Sequence, residues 1–260
     1  MILVDMSQIM MASIMMQMHM SKKSEPDEEM VRHMILNSLR MYRTRFLSEF
    51  GEMVLCYDSR HYWRRDYFPE YKHSRRKSRG TDDKNWDIIF NCLNTIKEEV
   101  KSNMPYKSVE VYGAEADDII ATLCSESSDE VMILSGDKDF IQLQKFPNVK
   151  QYSPITKKMI NGMNPDDYLK EHVLKGDTSD GVPNVLSPDN TFVDGIRQRP
   201  LSKKKIATMV EGDFPNDEVK RNYQRNKKLI DLTCSPDELR SEILDTYKSA
   251  PVNDRSKILN

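Results

Sequence analysis

The chain has 260 residues, of which 38% are hydrophobic and 31% are charged, and its formal net charge is −2. This composition predicts a globular protein with one large α/β domain, or such a domain with a small second one. The small net charge argues neither for nor against a nucleic-acid partner, so the local distribution of charge is more informative. The four cysteines share no CxxC spacing, which disfavours a zinc site or a disulfide framework and favours reduced thiols.

The elements of the first 160 residues alternate between strand and helix patterns. MILVD, EMVLCYD, SVEVYG, EVMILSGD and VKQYSP predict strands, and helical stretches lie between them, beginning with a methionine-rich helix. Alternation of this kind predicts an α/β fold with a mainly parallel central sheet flanked by helices. Asp5 interrupts the apolar N-terminal run, which has no basic segment or cleavage site, so neither a membrane span nor a targeting segment is predicted.

The remainder of the chain is polar, helical and interrupted by Pro and Gly. It predicts a smaller helical subdomain over 161–260, following an α/β catalytic domain over 1–160, with a loop at 183–201. There is no GxxxxGK[ST], GxGxxG or HExxH motif, which disfavours nucleotide-driven, dinucleotide and zinc-protease chemistry.

Acidic residues follow each of the first four predicted strands. They are Asp5, Asp58, Glu115, Asp117, Asp118, Asp137 and Asp139. The segment GDTSDG adds Asp177 and Asp180, an i, i+3 pair. Because the carboxyl ends of parallel strands lie along one edge of a sheet, we expect these side chains to meet there. One such acid is usually a turn former or a helix cap, but acids at all four strand ends predict a metal site.

So many carboxylates would repel one another unless cations were bound between them. All-oxygen ligands favour hard ions, so the prediction is Mg²⁺ with Mn²⁺ able to substitute. We expect Zn²⁺ to substitute poorly, because the predicted ligands include neither sulfur nor imidazole.

A basic and aromatic stretch follows the second strand. RHYWRRDYFPEYKHSRRKSRG, residues 60–80, has eight Lys or Arg, two acids and five aromatic residues. Most charge runs are solvated loops, but aromatic side chains among arginines are typical of single-strand binding. The predicted nucleic-acid contacts here are Trp63, Arg65, Arg75, Arg76 and Lys77.

Motifs in this order resemble the 5′-nuclease (flap endonuclease) superfamily, most closely its ribonuclease H branch in T-even phages. They are LVDMSQI, MVRHMILNSL, VLCYD, YWRRD, EADD, DKDFIQL, FPNVKQYSP and LKGDTSD, and the resemblance covers residues 1–182. It implies a 5′→3′ exonuclease with flap endonuclease activity that removes RNA primers and DNA near nicks during phage replication.

The resemblance also implies roles for individual residues. Six acids would surround one metal, namely Asp5, Asp58, Glu115, Asp117, Asp118 and Asp137. Asp139, Asp177 and Asp180 would lie near a second metal, some of them through water. Arg64, Tyr71 and Lys72 would belong to a helical arch over the 5′ strand, with residues around Arg64 and Lys72 contacting the scissile phosphate. No side-chain nucleophile is needed for two-metal hydrolysis.

The chain departs from the family after GDTSD, where a long insertion replaces the usual GxGxK core of the duplex-binding region. In LSKKKIATM, Ser202 is the predicted N-cap of a helix, and Lys203, Lys204 and Lys205 occupy its first turn. Cations are unfavourable at that end of the helix dipole, whereas phosphate binds there, so these lysines are predicted to hold duplex backbone.

The expected partner is branched, nicked or RNA-primed DNA, with phage single-strand-binding protein and sliding clamp as candidate protein partners. We expect a monomer in the host cytoplasm, without a membrane. Rival interpretations are a PIN-type single-strand ribonuclease, which is usually shorter and has no arch, a non-catalytic flap-binding replication factor, and a Mg²⁺-dependent phosphatase.

Overall fold

The computed structural model describes residues 1–80, 82 and 84–254, with the side chains of residues 76–78 left out. Its strands are β1 (Ile2–Asp5), β2 (Met53–Cys56), β3 (Lys107–Val109), β4 (Val131–Leu134), β5 (Val149–Ser153) and β6 (Lys158–Ile160). They form one sheet in the order β3-β2-β1-β4-β5-β6. All neighbours are parallel except β5 and β6, which are antiparallel. The predicted mainly parallel sheet is confirmed.

Ten α-helices are found in the described residues. They are α1 (Met6–Ser21), α2 (Glu28–Phe50), α3 (Trp63–Tyr67), α4 (His73–Gly80), α5 (Trp86–Asn103), α6 (Ala116–Glu126), α7 (Pro165–Lys175), α8 (Lys203–Val210), α9 (Asp217–Ile230) and α10 (Asp237–Ser249). Two 3₁₀-helices, Lys138–Lys145 and Leu232–Cys234, complete the set. The sequence patterns did not predict α3, α4, β6 or either 3₁₀-helix, because these elements are too short for a clear period.

Two hydrophobic clusters lie on opposite faces of the sheet, since alternate residues of β1, β2 and β4 belong to different clusters. One cluster contains the inward faces of α1, α2 and α5, and the other contains those of α6 and α10. Met6, Met10 and Met18 of α1 are buried, which confirms the predicted methionine-rich core face. The sheet is therefore the middle layer between two layers of helices.

The C-terminal helices divide between two neighbourhoods. α7, α8 and α9 contribute to two small clusters of their own. By contrast, Leu239 and Ile243 of α10 are buried in the large cluster that also contains β2 and α6. The predicted division of the chain into domains 1–160 and 161–260 stays a prediction. The last helix, α10, lies in the second range but packs on the α/β core.

Residues 183–201 contain no helix or strand, as predicted. Buried asparagines of α9 hold this segment: Asn222 donates to the carbonyl of Val185 at 3.0 Å, and Asn226 donates to that of Pro183 at 2.8 Å. Buried backbone groups outside regular structure need such partners, so the order of the segment depends on α9.

All four cysteines are free thiols. Cys56, Cys92 and Cys124 are buried free thiols, and Cys234 is a half-buried one. Within the described part of the chain, no helix has the length and apolar character needed to cross a membrane.

Candidate active site

Three adjacent strands bring three acids to one edge of the sheet. Asp5 is the last residue of β1 and pairs in register with Cys56, the last residue of β2. Asp58 follows two residues after β2, and Asp137 three residues after β4, which pairs with β1 on its other side. The carboxyl ends of β2, β1 and β4 therefore place these acids side by side, as the sequence predicted.

A cleft of about 970 Å³ opens at this edge. Seven of the nine predicted metal-binding acids line it: Asp5, Asp58, Asp117, Asp137, Asp139, Asp177 and Asp180. Lys72 and Arg75 line the same cleft. An acidic surface with a basic side is suited to bind divalent cations together with a phosphate group.

Hydrogen bonds hold the central carboxylates in place. Asp5 accepts from the backbone N–H of Gln8 at 3.0 Å and from the Ser135 hydroxyl at 2.9 Å. Asp58 accepts from the backbone N–H of Ala116 at 2.7 Å. Asp5 is thus both the N-cap of α1 and a member of the acidic cluster, so the two interpretations of a strand-end acid are compatible.

The carboxylates raise one another's pKa values. Burial, with a further contribution from Asp58, raises the pKa of Asp5 to about 7. Burial and then the charges of Asp137 and Asp5 raise the pKa of Asp117 well above its ordinary value. Carboxylates that are crowded in this way are stabilised as anions by a bound cation. The cleft therefore fits a divalent metal.

The basic residues on one side of the cleft lower the pKa of a neighbouring carboxylate instead of raising it. The ammonium group of Lys72 bonds to Glu115 and lies 3.5 Å from Asp180 Oδ2. Although burial opposes it, the charges of Lys72 and Arg75 lower the pKa of Asp180. The Tyr71 hydroxyl lies between the two acids, 2.7 Å from Asp180 Oδ2 and 3.0 Å from Glu115 Oε2. Glu115 and Asp180 are thus already neutralised by protein groups.

Two residues with predicted roles, Arg64 and Asp118, are buried. Arg64 is 1% exposed and donates to Asp118 at 2.8 Å and to Glu115 at 3.0 Å. Asp118 is fully buried and also accepts from the Ser235 hydroxyl at 2.6 Å. Neither Arg64 nor Asp118 lines the 970 Å³ cleft, so the roles that the resemblance implies for them stay predictions. The two form an internal ion pair behind the acidic surface.

The aromatic and basic residues around this pair are also turned inward. The indole N–H of the half-buried Trp63 donates to Asp118 at 3.2 Å, and Tyr71 is 3% exposed. Arg65 is half-buried against the ring of Tyr62.

The other residues predicted to contact nucleic acid lie in three different parts of the chain. Arg75 is 43% exposed at the cleft. The side chains of Arg76 and Lys77 lie outside those that the structure describes. Lys203, Lys204 and Lys205 are exposed on α8, whose N-cap is Ser202 as predicted, and do not line the cleft.

One residue at the site, His172, was not identified from the sequence. His172, in the last turn of α7, has its Nε2 atom 3.0 Å from Asp139 Oδ1 and 3.9 Å from Asp177 Oδ2. The sequence analysis considered only carboxylates as ligands, whereas this imidazole lies beside two of them. The signal was a histidine five residues before Asp177, which is too common a spacing to have been selected.

Comparisons with known proteins agree with this geometry. Residues 1–173 match the family model of the 5′-3′ exonuclease N-terminal, resolvase-like domain, and residues 164–260 match the model described as T4 RNase H, C terminal. The ribonuclease H of Enterobacteria phage T4 is 34% identical over 275 residues, which cover 98% of this chain and 88% of that protein.

Two solved structures share the fold. A flap endonuclease of bacteriophage T5, in a pseudo-enzyme-product complex with DNA and metal ions, has a TM-score of 0.66 at 15% identity over 95% of this chain and 99% of its own. The T5 5′-exonuclease with bound zinc has a TM-score of 0.63 at 15% identity, covering 96% of this chain and 98% of that one.

The acidic cleft at the carboxyl edge of this mainly parallel sheet, together with these matches, defines a metal-dependent nuclease. The chain belongs to the 5′-3′ exonuclease family. Within it, the match over residues 164–260 and the identity to the phage T4 protein relate it to the phage ribonucleases H. The resemblance that the sequence motifs indicated is confirmed.

The ion pair behind the acids generates the first prediction. Arg64→Met should lower the free energy of unfolding by about 3–5 kcal/mol at pH 7, because it leaves Asp118 buried without its cation, whereas Glu115 keeps Lys72. The pKa of Asp118 is lowered in the folded protein, against the effect of burial, chiefly by Arg64. Its contribution is therefore present at neutral pH and is lost as the pH falls below the ordinary value of about 3.9. Urea denaturation at pH 7 and at about pH 2.5, on either side of that value, measures both effects.

The matched control is Arg43→Met, which removes a pair with the half-exposed Glu52 and should cost at most about 1 kcal/mol. Equal losses in the two variants would contradict a stabilising role for the buried pair.

Proposed function

We propose that this protein is a Mg²⁺-dependent 5′→3′ exonuclease and flap endonuclease that acts on RNA–DNA and DNA–DNA duplexes. Its task would be the removal of RNA primers during phage DNA replication, in the cytoplasm of the host. The observation that carries the proposal is the convergence of seven carboxylates with Lys72 and Arg75 in one cleft.

The acids divide into two groups by neighbourhood. Asp5, Asp58, Asp117 and Asp137 come from the strand ends and the start of α6, and would hold one ion. Asp139 and Asp177 come from the 3₁₀-helix and the turn after α7 and would hold a second, while Asp180, which is paired with Arg75, would lie near that ion and act through water. A pair of divalent ions would activate a water molecule and stabilise the attacking and leaving oxygens of phosphodiester hydrolysis.

The basic residues of the cleft would bind and orient the substrate. Arg75 is held by Asp180 and by the carbonyl of Ser179 at 3.1 Å, and it keeps a substantial exposed fraction toward the opening. Lys72 lies deeper, between Glu115 and Asp180, where a phosphate could replace one of its carboxylate partners. This difference in depth supports Arg75 as the residue that contacts the entering strand and Lys72 as the one that offsets charge on the reacting phosphate.

Cleavage tests the assignment of Asp137. Asp137→Asn should lower the rate of cutting by more than about 100-fold, since even the outer partners of metal ligands are worth 10–100-fold. The measurement uses a DNA flap and an RNA-primed duplex labelled at either end, with Mg²⁺ and with EDTA. Products should arise from the free 5′ end, carry 5′-phosphates and 3′-hydroxyls, and disappear in EDTA.

The control variant Asp245→Asn removes the charge of an exposed acid on α10. It should cut at the same rate as the unaltered protein. Fluorescence anisotropy should show that Asp137→Asn keeps most of its substrate affinity. Release of mononucleotides from 3′ ends, or full turnover by Asp137→Asn, would contradict the proposed function.

We further propose that the first turn of α8 grips the duplex behind the flap. Its three exposed lysines belong to the first turn of the helix, where backbone N–H groups have no partner within the helix. Ser202 caps the helix by accepting from the N–H of Lys205 at 3.4 Å. Met209 and the half-buried Ile206 anchor the opposite face of the helix in a small hydrophobic cluster. A rigid helix start with added lysines is suited to bind phosphate, which supports this role.

Replacement of Lys203, Lys204 and Lys205 together by Ala should weaken duplex binding for all sequences alike. The log–log dependence of affinity on salt should flatten by about 0.9 per lost phosphate contact, whereas cutting at saturating enzyme should persist. Replacement of the exposed Lys22, Lys23 and Lys248 by Ala removes the same charge elsewhere and serves as the control. An unchanged affinity and salt slope in the first variant would exclude α8 from the duplex contact.

A further inference from the structure

The imidazole of His172 has an unusual environment. Its ring stacks on Tyr168 with centroids 5.5 Å apart, and its side chain is 16% exposed. The Nε2 atom is fully enclosed and makes no hydrogen bond of normal geometry with any described residue, although Asp139 Oδ1 is only 3.0 Å away. Enclosed polar atoms without a well-directed bond are rare. A nitrogen whose nearest charged neighbour is a carboxylate oxygen in poor geometry is suited to share a cation with that oxygen.

The position of Asp177 beside this nitrogen is set by the backbone. Gly176 ends α7 with a φ of 68°, and a Cβ there would lie 2.4 Å from the carbonyl oxygen of Val182, so only glycine fits. The turn that results returns Asp177 to the last turn of the helix. Its Oδ1 accepts from the N–H of Ser179 at 2.7 Å, and its Oδ2 faces the imidazole.

The third atom comes from a different element. Asp139 lies in the 3₁₀-helix after β4, and its N–H donates to Asp137 at 3.0 Å, which fixes the start of that helix. One oxygen of Asp139, one oxygen of Asp177 and a nitrogen of His172 then lie within 4.8 Å of one another. Ligands bound at about 2.0–2.2 Å to one ion are themselves roughly 3–4 Å apart. The spacings of 3.0 and 3.9 Å from the nitrogen match that requirement.

We propose that His172 is a direct ligand of the ion held by Asp139 and Asp177, which makes this a mixed oxygen and nitrogen site. The inference rests on the proposed function, because it concerns one of the two ions assigned there. An imidazole ligand favours transition-metal ions over Mg²⁺, which takes oxygen ligands. The second site of this protein therefore prefers a transition-metal ion, whereas the all-carboxylate site at Asp5, Asp58 and Asp137 accepts Mg²⁺.

The test uses Mn²⁺ as the probe and a spectroscopic signature that does not depend on cutting. Pulsed EPR of the full-length protein loaded with Mn²⁺ should show nitrogen modulation from a coordinated imidazole. Labelling of the five histidines with ¹⁵N should change that modulation in the unaltered protein, so the result does not depend on the folding of a variant. His172→Gln should abolish it and weaken Mn²⁺ binding, measured in competition with Mg²⁺, by about 10-fold or more.

His61→Gln is the matched control, because His61 also lies beside an acid, Asp66 at 2.8 Å, but does not line the cleft. It should leave the modulation and the Mn²⁺ affinity unchanged. Mn²⁺ that binds without nitrogen modulation would show that His172 only packs against the acids, which overturns this inference and leaves the proposed metal site intact. Failure of the unaltered protein to bind Mn²⁺ at all would overturn the inference together with the proposed function.

Discussion

Repulsion among carboxylates at the carboxyl edge of the sheet is the constraint on which the rest of the structure depends. The parallel order β2-β1-β4 makes the crowding of Asp58, Asp5 and Asp137 unavoidable once each strand ends in an acid. Two kinds of counter-charge are available to relieve it. Protein cations neutralise Glu115, Asp118 and Asp180. The other acids have raised pKa values where a shift is resolved, as at Asp5 and Asp117. Bound divalent ions are the remaining means of stabilising them as anions.

The segment EADD at 115–118 shows how these two kinds of acid are separated. Asp118 turns into the protein, where it accepts from Arg64 and from the backbone N–H of Glu115 at 2.9 Å. Asp117, one residue earlier, lies on another side of the same helical turn and lines the cleft. One helix start therefore serves both stability and the active site, because successive residues of a helix point about 100° apart.

The sequence was sufficient to predict the architecture and most of the cleft. Apolar runs that end in acid identify buried parallel strands and the edge at which their acids meet, because strand direction alone fixes that edge. The sequence was not sufficient to predict the environment of Arg64 or Trp63. A basic aromatic run has the same composition whether its side chains face solvent or pair with buried acids. The same limit applies to His172, whose role depends on the glycine turn that returns Asp177 to it. Asn222 and Asn226 of α9 gave no signal at all, because their partners are backbone carbonyls about 40 residues away.

Thermal unfolding with and without divalent ions tests the central claim, that the acid cluster is completed by metal, most directly. At Mg²⁺ concentrations about 100-fold above the dissociation constant, binding to the folded protein should add about 2.7 kcal/mol and raise Tm by roughly 5–10 °C over EDTA. In EDTA, Asp137→Asn should melt at the same temperature as the unaltered protein or higher, because it removes a repelling charge, and Mg²⁺ should raise its Tm much less. An unaltered protein whose Tm is the same in Mg²⁺ and EDTA, together with an Asp137→Asn variant that melts lower in EDTA, would contradict the account.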